Sequence, residues 1–205
     1  MSDIVVQPGS EGPHSPVRVD FVGTYEINRW RPLLQWLIAI PHFLILWVLG
    51  VVAGVCLFVA FFTVLFTKTI PEQLFGIIVM TYRYSWRVST YALWMREEYP
   101  PFDFTTAPAD NRMDPPTLLE VDDPGELMRW GPLYKWFLAI PHFVIIWFLG
   151  IGAFFAIVWA FFVVLFTGKY PAGVRNYVVG LQRWTMRVQA YAGFLRDEYP
   201  PFSFD

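Results

Sequence analysis

Six ionisable side chains stand where a helix crossing lipid would least tolerate them. His42 lies in "AIPHF" within a charge-free run from Leu33 to Thr67, and His142 lies in the same five letters one hundred residues later. Arg83 and Arg87 are four apart, hence on one face of a helix, and Arg183 and Arg187 repeat the pair. An arginine at the bilayer centre costs about 2.5–3.5 kcal/mol on insertion scales. A guanidinium brings five donors, and a neutral imidazole one donor and one acceptor. If the histidine and arginines of each unit converge, they make a polar cluster able to hold an anionic lipid headgroup or to relay protons. Pro41 would add to it, because it leaves the carbonyl of Leu37 without a helical N–H partner. A plainer reading competes. Gln35 and His42, like Lys135 and His142, lie seven apart on one helical face, which could be the wet stripe of an interfacial helix that Pro41 bends into the membrane.

Other chemistry finds little material. His14, His42 and His142 show no metal-ligand spacing, and Cys56, the single cysteine, suits a small packing role and cannot form an internal disulfide. Gly50 to Gly54 lacks the Lys-Ser/Thr of a phosphate loop and fits close helix packing instead. Glu98 and Glu198, beside Arg96 and Arg196, read as solvated charges at a helix end. No catalytic residue, metal or cofactor is expected, and the chain is not read as an enzyme. Trp30, Trp36, Trp130 and Trp136 read as interfacial anchors.

Composition sets the class. Charged residues make up 16 % and apolar residues 56 %, against about 25 % and 45–50 % in soluble domains. Two charge-free runs, Leu33 to Thr67 and Phe137 to Thr167, exceed the roughly 20 apolar residues that span a bilayer. An integral membrane protein follows, with the lipid bilayer, anionic lipids included, as expected partner. The net charge of −2 is uninformative about nucleic acid, but no basic tract suggests it, and nucleic acid is not an expected partner. Residues 1–16 read as a disordered polar leader without the pattern of a cleavable signal peptide.

Those runs belong to a duplication. Residues 29–104 align on 129–204 without a gap, and roughly half the positions are identical. Each unit, 17–104 and 117–205, ends on "EYPPF", and the linker 105–116, "TTAPADNRMDPP", separates them. Within a unit the pattern predicts four parts. An alternating segment, Val17–Phe21 or Leu119–Val121, reads as a short strand outside the membrane. A helical turn or two starts at Pro32 or Pro132. A main apolar helix covers about 43–66 or 143–166, and a second helix covers about 72–95 or 172–195. The expected fold is an all-α membrane protein of two tandem helical hairpins, with four membrane-embedded helices and short extramembrane strands. The arginine-bearing second helix either spans or lies in the interface. If each unit crosses twice, eight basic residues share a side with both termini and three lie opposite. That places the termini in the cytoplasm of a multi-pass plasma (inner) membrane protein.

The stretches "RWRPLLQWLIAIPHF", "LFTGKYPAGV" and "RVxxYAxxxRxEYPPF" resemble a bacterial membrane family, common in actinobacteria, known as domain of unknown function 4389. The resemblance implies a membrane location and a tandem arrangement, with no assigned activity. The first copy departs from the pattern at Lys68-Thr-Ile-Pro71. The functional expectation is a non-catalytic accessory or scaffold subunit of a larger membrane complex. The alternative is a small transporter, channel or anionic-lipid-binding protein working at the seam between the repeats.

Overall fold

The computed structural model describes residues 16–204; Met1 to Ser15, which hold the expected leader and His14, and Asp205 lie outside the described residues. Two short strands, β1 (Val17–Phe21) and β2 (Thr117–Val121), pair antiparallel with Val19 opposite Leu119. Because side chains alternate across a strand, Val17, Val19, Phe21, Leu119 and Val121 share a buried face. The other face carries Arg18 and Glu120, directly opposite and ion-paired at 2.7 Å. The strands expected from alternation are therefore present, and one comes from each unit.

Each unit then gives three helices: α1 (Arg31–Ile38), α2 (Ile40–Thr67) and α3 (Glu72–Ala92), followed by α4 (Gly131–Leu138), α5 (Ile140–Thr167) and α6 (Ala172–Ala192). Pro41 and Pro141 sit in the first turns of α2 and α5, where their missing N–H costs nothing. The proline thus starts a helix rather than bending one. At the far end, Lys68 and Gly168 both close the helix in the left-handed conformation, at φ 62° and 70°. Glycine adopts it freely and lysine at a cost, yet the turn keeps its shape where the first copy departs in sequence.

The helices stack in layers. Strand β1 packs on α6 and β2 on α3, so each strand lies against the other unit's helix. Helices α2 and α5 pack on the far side of α3 and α6. The order is sheet, then α3 with α6, then α2 with α5. The middle layer is covered from both sides, and Phe75, Ile78, Val79, Tyr84, Trp86 and Val88 of α3 are all buried. On α2 only one stripe is buried: His42, Ala53, Cys56, Ala60 and Val64, at the three-to-four spacing of one helical face. The matching stripe of α5 repeats His142, Ala153, Ala160 and Val164. The outer sides expose Leu44, Trp47, Val55, Phe58 and Phe66 on α2, and Trp147, Phe154, Phe155, Trp159 and Phe166 on α5.

These facts correct the expected four embedded helices. Among the described residues only α2 and α5 are long and apolar enough to cross a membrane, and just 17 % of each apolar window is buried. A core helix of a soluble protein would be mostly covered, so the outer apolar face associates the protein with a membrane. Helices α3 and α6 instead spend their surfaces on the sheet and on α2 and α5. The count of eight basic residues against three assumed that they cross, and falls with that assumption. The chain is mostly helical with a small mixed-unit sheet, rather than all-α.

Main-chain bonds stitch the exchange at both ends. The amide of Ile27 donates to the Gly168 carbonyl (2.9 Å) and that of Tyr170 to the Tyr25 carbonyl (2.7 Å). In the mirror position the amide of Leu127 donates to the Lys68 carbonyl (2.7 Å). Truncating Val19 to Ala removes a buried contact that β1 makes with the other unit's helix. Hydrogen exchange is expected to quicken more in α6 than in α3; a larger change in α3 would contradict the strand exchange.

Candidate functional site: histidine cages and an arginine network

The most repeated motifs of each unit meet. "EYPPF" leaves the end of α3 and folds back over the start of α2, so His42 stacks on Phe102 with ring centres 4.5 Å apart and planes at 13°. Tyr99 closes the cage at 4.6 Å. In the second unit His142 stacks on Phe202 at 4.0 Å and 12°, with Tyr199 at 4.9 Å. Both imidazoles are wholly buried. His42 Nδ1 shares a 2.6 Å hydrogen bond with the Tyr84 hydroxyl. Burial pushes that hydroxyl up to about 12, with Tyr99 adding to the effect, so it stays protonated at neutral pH. His142 Nδ1 accepts from Trp184 Nε1 at 3.1 Å. An indole only donates, so this nitrogen carries the lone pair and the ring proton sits on Nε2.

Arg83 and Arg87 lie elsewhere, on the side of α3 that faces the sheet and the inter-unit segment. Arg83 Nε donates to the Leu119 carbonyl of β2 (3.2 Å), and its Nη atoms reach the carbonyls of Ala107 and Pro108. The Asp110 carboxylate stands 3.5 Å from it. Arg87 pairs with Asp103 at 2.7 Å and with Asp110 at 3.1 Å. Arg96 completes the set, donating to Asp114 at 2.5 Å. Burial draws the Arg83 guanidinium below its usual value; Asp110 opposes the shift and Arg87 reinforces it. Arg183 mirrors Arg83, its Nε donating to the Val19 carbonyl of β1 (2.8 Å) and its Nη2 to Asp20 (3.1 Å). Arg187 donates to the Ser203 carbonyl at 3.4 Å.

The expected cluster of His42, Arg83 and Arg87, with His142, Arg183 and Arg187 as its copy, is therefore two separate structures in each unit. The histidine is bonded to an aromatic side chain; the arginines bond the sheet and the segment around residues 103–114 in the first unit, and β1 and Ser203 in the second. The wet-stripe alternative is also corrected, because Gln35 and His42 are fully buried. Gln35 Nε2 donates to the carbonyls of Tyr91 and Arg96, both at 2.7 Å. Lys135 does the same work in the second unit, donating to the Arg196 carbonyl (2.6 Å) and to Asp197 (2.5 Å). Burial lowers the Lys135 pKa, and Asp197 holds it up.

Trp30, Trp36, Trp130 and Trp136 are all exposed. Trp36 and Trp136 bond their indole N–H to the carbonyls of Leu33 and Leu133, within their own helices.

Two contributors escaped the sequence reading. Asp110 and Asp114 belong to a stretch that reads as boundary and linker, and Asp103 to the very end of the first unit, yet they neutralise the helix arginines. Arg175 replaces the Phe75 of the first copy. It donates to the carbonyls of Gly23 and Thr24 in the first unit, and its guanidinium lies 3.9 Å from the Tyr25 ring centre. The only signal for it was an arginine standing where the repeat has an aromatic residue.

Fold and site together define a two-unit, membrane-associated helical protein whose units exchange strands across a buried arginine network. The family model described as Domain of unknown function (DUF4389) matches residues 29–103 and again 129–203, and the chain belongs to that family in two tandem copies. No curated protein and no solved structure matches it. Both family matches begin after the strand of their unit, so β1, β2 and the Asp110–Asp114 stretch lie outside them.

Two measurements test the site. Asp110→Asn removes the carboxylate beside buried Arg83 and leaves Arg87 with Asp103 alone, and is expected to cost about 3–5 kcal/mol in denaturation. Asp103 adds a pH signature. Burial alone would raise its carboxyl, but bonds from Arg87, Thr105 and Asn111 outweigh it and hold the group well below 3.8. A carboxylate lowered on folding stabilises above its ordinary value and loses that effect as pH falls through the folded one. The stability gap between the native protein and Asp103→Asn should hold steady above 3.8 and close on further acidification. In the cage, His42→Phe keeps a ring on Phe102 but strands the buried Tyr84 hydroxyl, at about 1–3 kcal/mol. Adding Tyr84→Phe is expected to recover part of that loss, a coupling read from the double-mutant cycle.

Proposed function

We propose that this protein is a membrane-bound, non-catalytic accessory or scaffold subunit, resident in the plasma membrane and built to present a polar layer to another membrane protein. The observation that carries this reading is where its charges go. The buried Arg83, Arg87, Arg96 and Lys135 are each engaged with a carboxylate of the same chain, and Arg175 with main-chain carbonyls. Groups so engaged hold the layers together rather than wait for a substrate. The histidines, caged among aromatic rings, serve the same end.

The apolar face supports attachment to lipid, and the sheet side supports contact with a partner. That side carries exposed main chain and side chains at 111–113, including Met113 at 62 % exposure. The seam between the units, where a transporter would place its path, is filled by the β1–β2 pair and Arg175, which is why the scaffold reading is preferred. Photo-crosslinkers placed at Met113 in the full chain in native membranes are expected to give one discrete adduct. They should give none when placed at the lipid-facing Phe58. A protein that stays uncrosslinked at both positions, and runs alone after solubilisation, would sink this reading.

A further inference from the structure

Membrane attachment leaves open how the long helices lie, and the layer order bears on it. Helices α2 and α5, 28 residues each, are about 42 Å long, enough to cross a hydrocarbon core of about 30 Å. Upright, they would carry the other two layers into the bilayer beside them, because α3 and α6 pack along them and the sheet packs on α3 and α6. Lipid would then have to cover the outer face of the sheet. That face holds the Arg18–Glu120 pair and Asp122, with Arg18 42 % and Asp122 53 % exposed at the side chain. Charged groups and an open two-stranded edge are what a hydrocarbon core excludes.

The helix ends are tethered in keeping with this. The end of α5 is bonded to Ile27, six residues beyond β1, and the end of α2 to Leu127, six residues beyond β2. Six residues reach at most about 20 Å. Both ends therefore stay near the same charged sheet, on opposite sides of the strand pair. Arg29 with Trp30 and Arg129 with Trp130 are exposed just before α1 and α4, a cation and an interfacial ring at each. Exposed apolar side chains continue through α1 at Leu33 and Leu37 and through α4 at Leu133 and Phe137.

We infer that α1, α2, α4 and α5 form a raft lying flat in one leaflet, with its apolar face in the acyl chains and the sheet in water. The occupant of that face is lipid hydrocarbon. One helix layer is about 10–12 Å thick, within the roughly 15 Å of a single leaflet. Basic side chains at both ends of the raft suit anionic headgroups. The protein is then monotopic, with both copies on the same side. This rests on the membrane reading above and specifies its geometry.

The test uses the full chain carrying Cys56→Ser, reconstituted in phosphatidylcholine vesicles containing phosphatidylglycerol. Single cysteines at Leu44, Val55 and Phe66, the start, middle and end of α2, report depth through quenching by brominated lipids. All three are expected about 5–10 Å below the headgroups. A Val55 probe near the midplane with shallow ends would overturn the inference, as would probes that lipid does not quench in vesicle-bound protein, since protein would then cover the face. Single cysteines at Thr69, Met113 and Lys169 report sidedness to an impermeant maleimide. All three are expected to react from one side. Positions 69 and 169 on opposite sides mean two inverted spans, and both opposite 113 mean two hairpins; either overturns the flat raft while the membrane reading stands. Protein that fails to float with vesicles overturns both.

Discussion

The structure depends on burying arginine inside a protein that also displays an apolar surface. A guanidinium cannot shed its charge, so it must find oxygen wherever it is placed. Arg83 and Arg183 find it on the main chain of the strand supplied by the other unit. Their equivalent bonds, to the carbonyls of Leu119 and Val19, make the strand exchange and the charge burial one event. Neither unit can satisfy its helix alone. The layer order follows, because a helix bound to the sheet on one side has its opposite side left for α2 or α5.

The duplicated units have diverged around this frame. Gln35 and Lys135 hold the same chain reversal, one with two neutral bonds and the other with a charge that needed Asp197. His42 meets a tyrosine and His142 a tryptophan, yet both stack on the phenylalanine of "EYPPF". Arg175 has no counterpart at Phe75, and it locks the second unit's helix onto residues 23–25 of the first. The pseudo-symmetry is thus one of positions, with differing chemistry serving the same contacts. A raft lying flat accommodates the outer positions that differ between the copies, such as Leu44 and Val144, Val48 and Phe148, Val55 and Phe155, and Val59 and Trp159. Lipid asks only that they be apolar.

Much of the fold was legible in the chain. The duplication, the two apolar helices and the strand segments all follow from local pattern, since alternation and helical period act over a few residues. The site was legible only as an inventory. His42, Arg83 and Arg87 stood out by cost, but spacing along the chain could not say whether they converge, and the structure separates them. The aspartates that answer the arginines lie 16 to 27 residues further on, Asp103 at the end of the unit and Asp110 and Asp114 in a segment whose prolines and polar residues read as a linker.

The sequence by itself determined that the chain holds two copies of a unit, that one helix of each copy is coated in apolar side chains, and that a few ionisable groups need partners. These are properties of spacing and composition. Only the tertiary structure decided which partners. The pairing of β1 with β2, the cover of α6 by β1 and the closure of "EYPPF" over "AIPHF" join residues up to about 160 positions apart. No local preference encodes such contacts. They are selected because a buried charge and a bare strand edge cannot be left unsatisfied, and the other copy of the unit carries the groups that satisfy both.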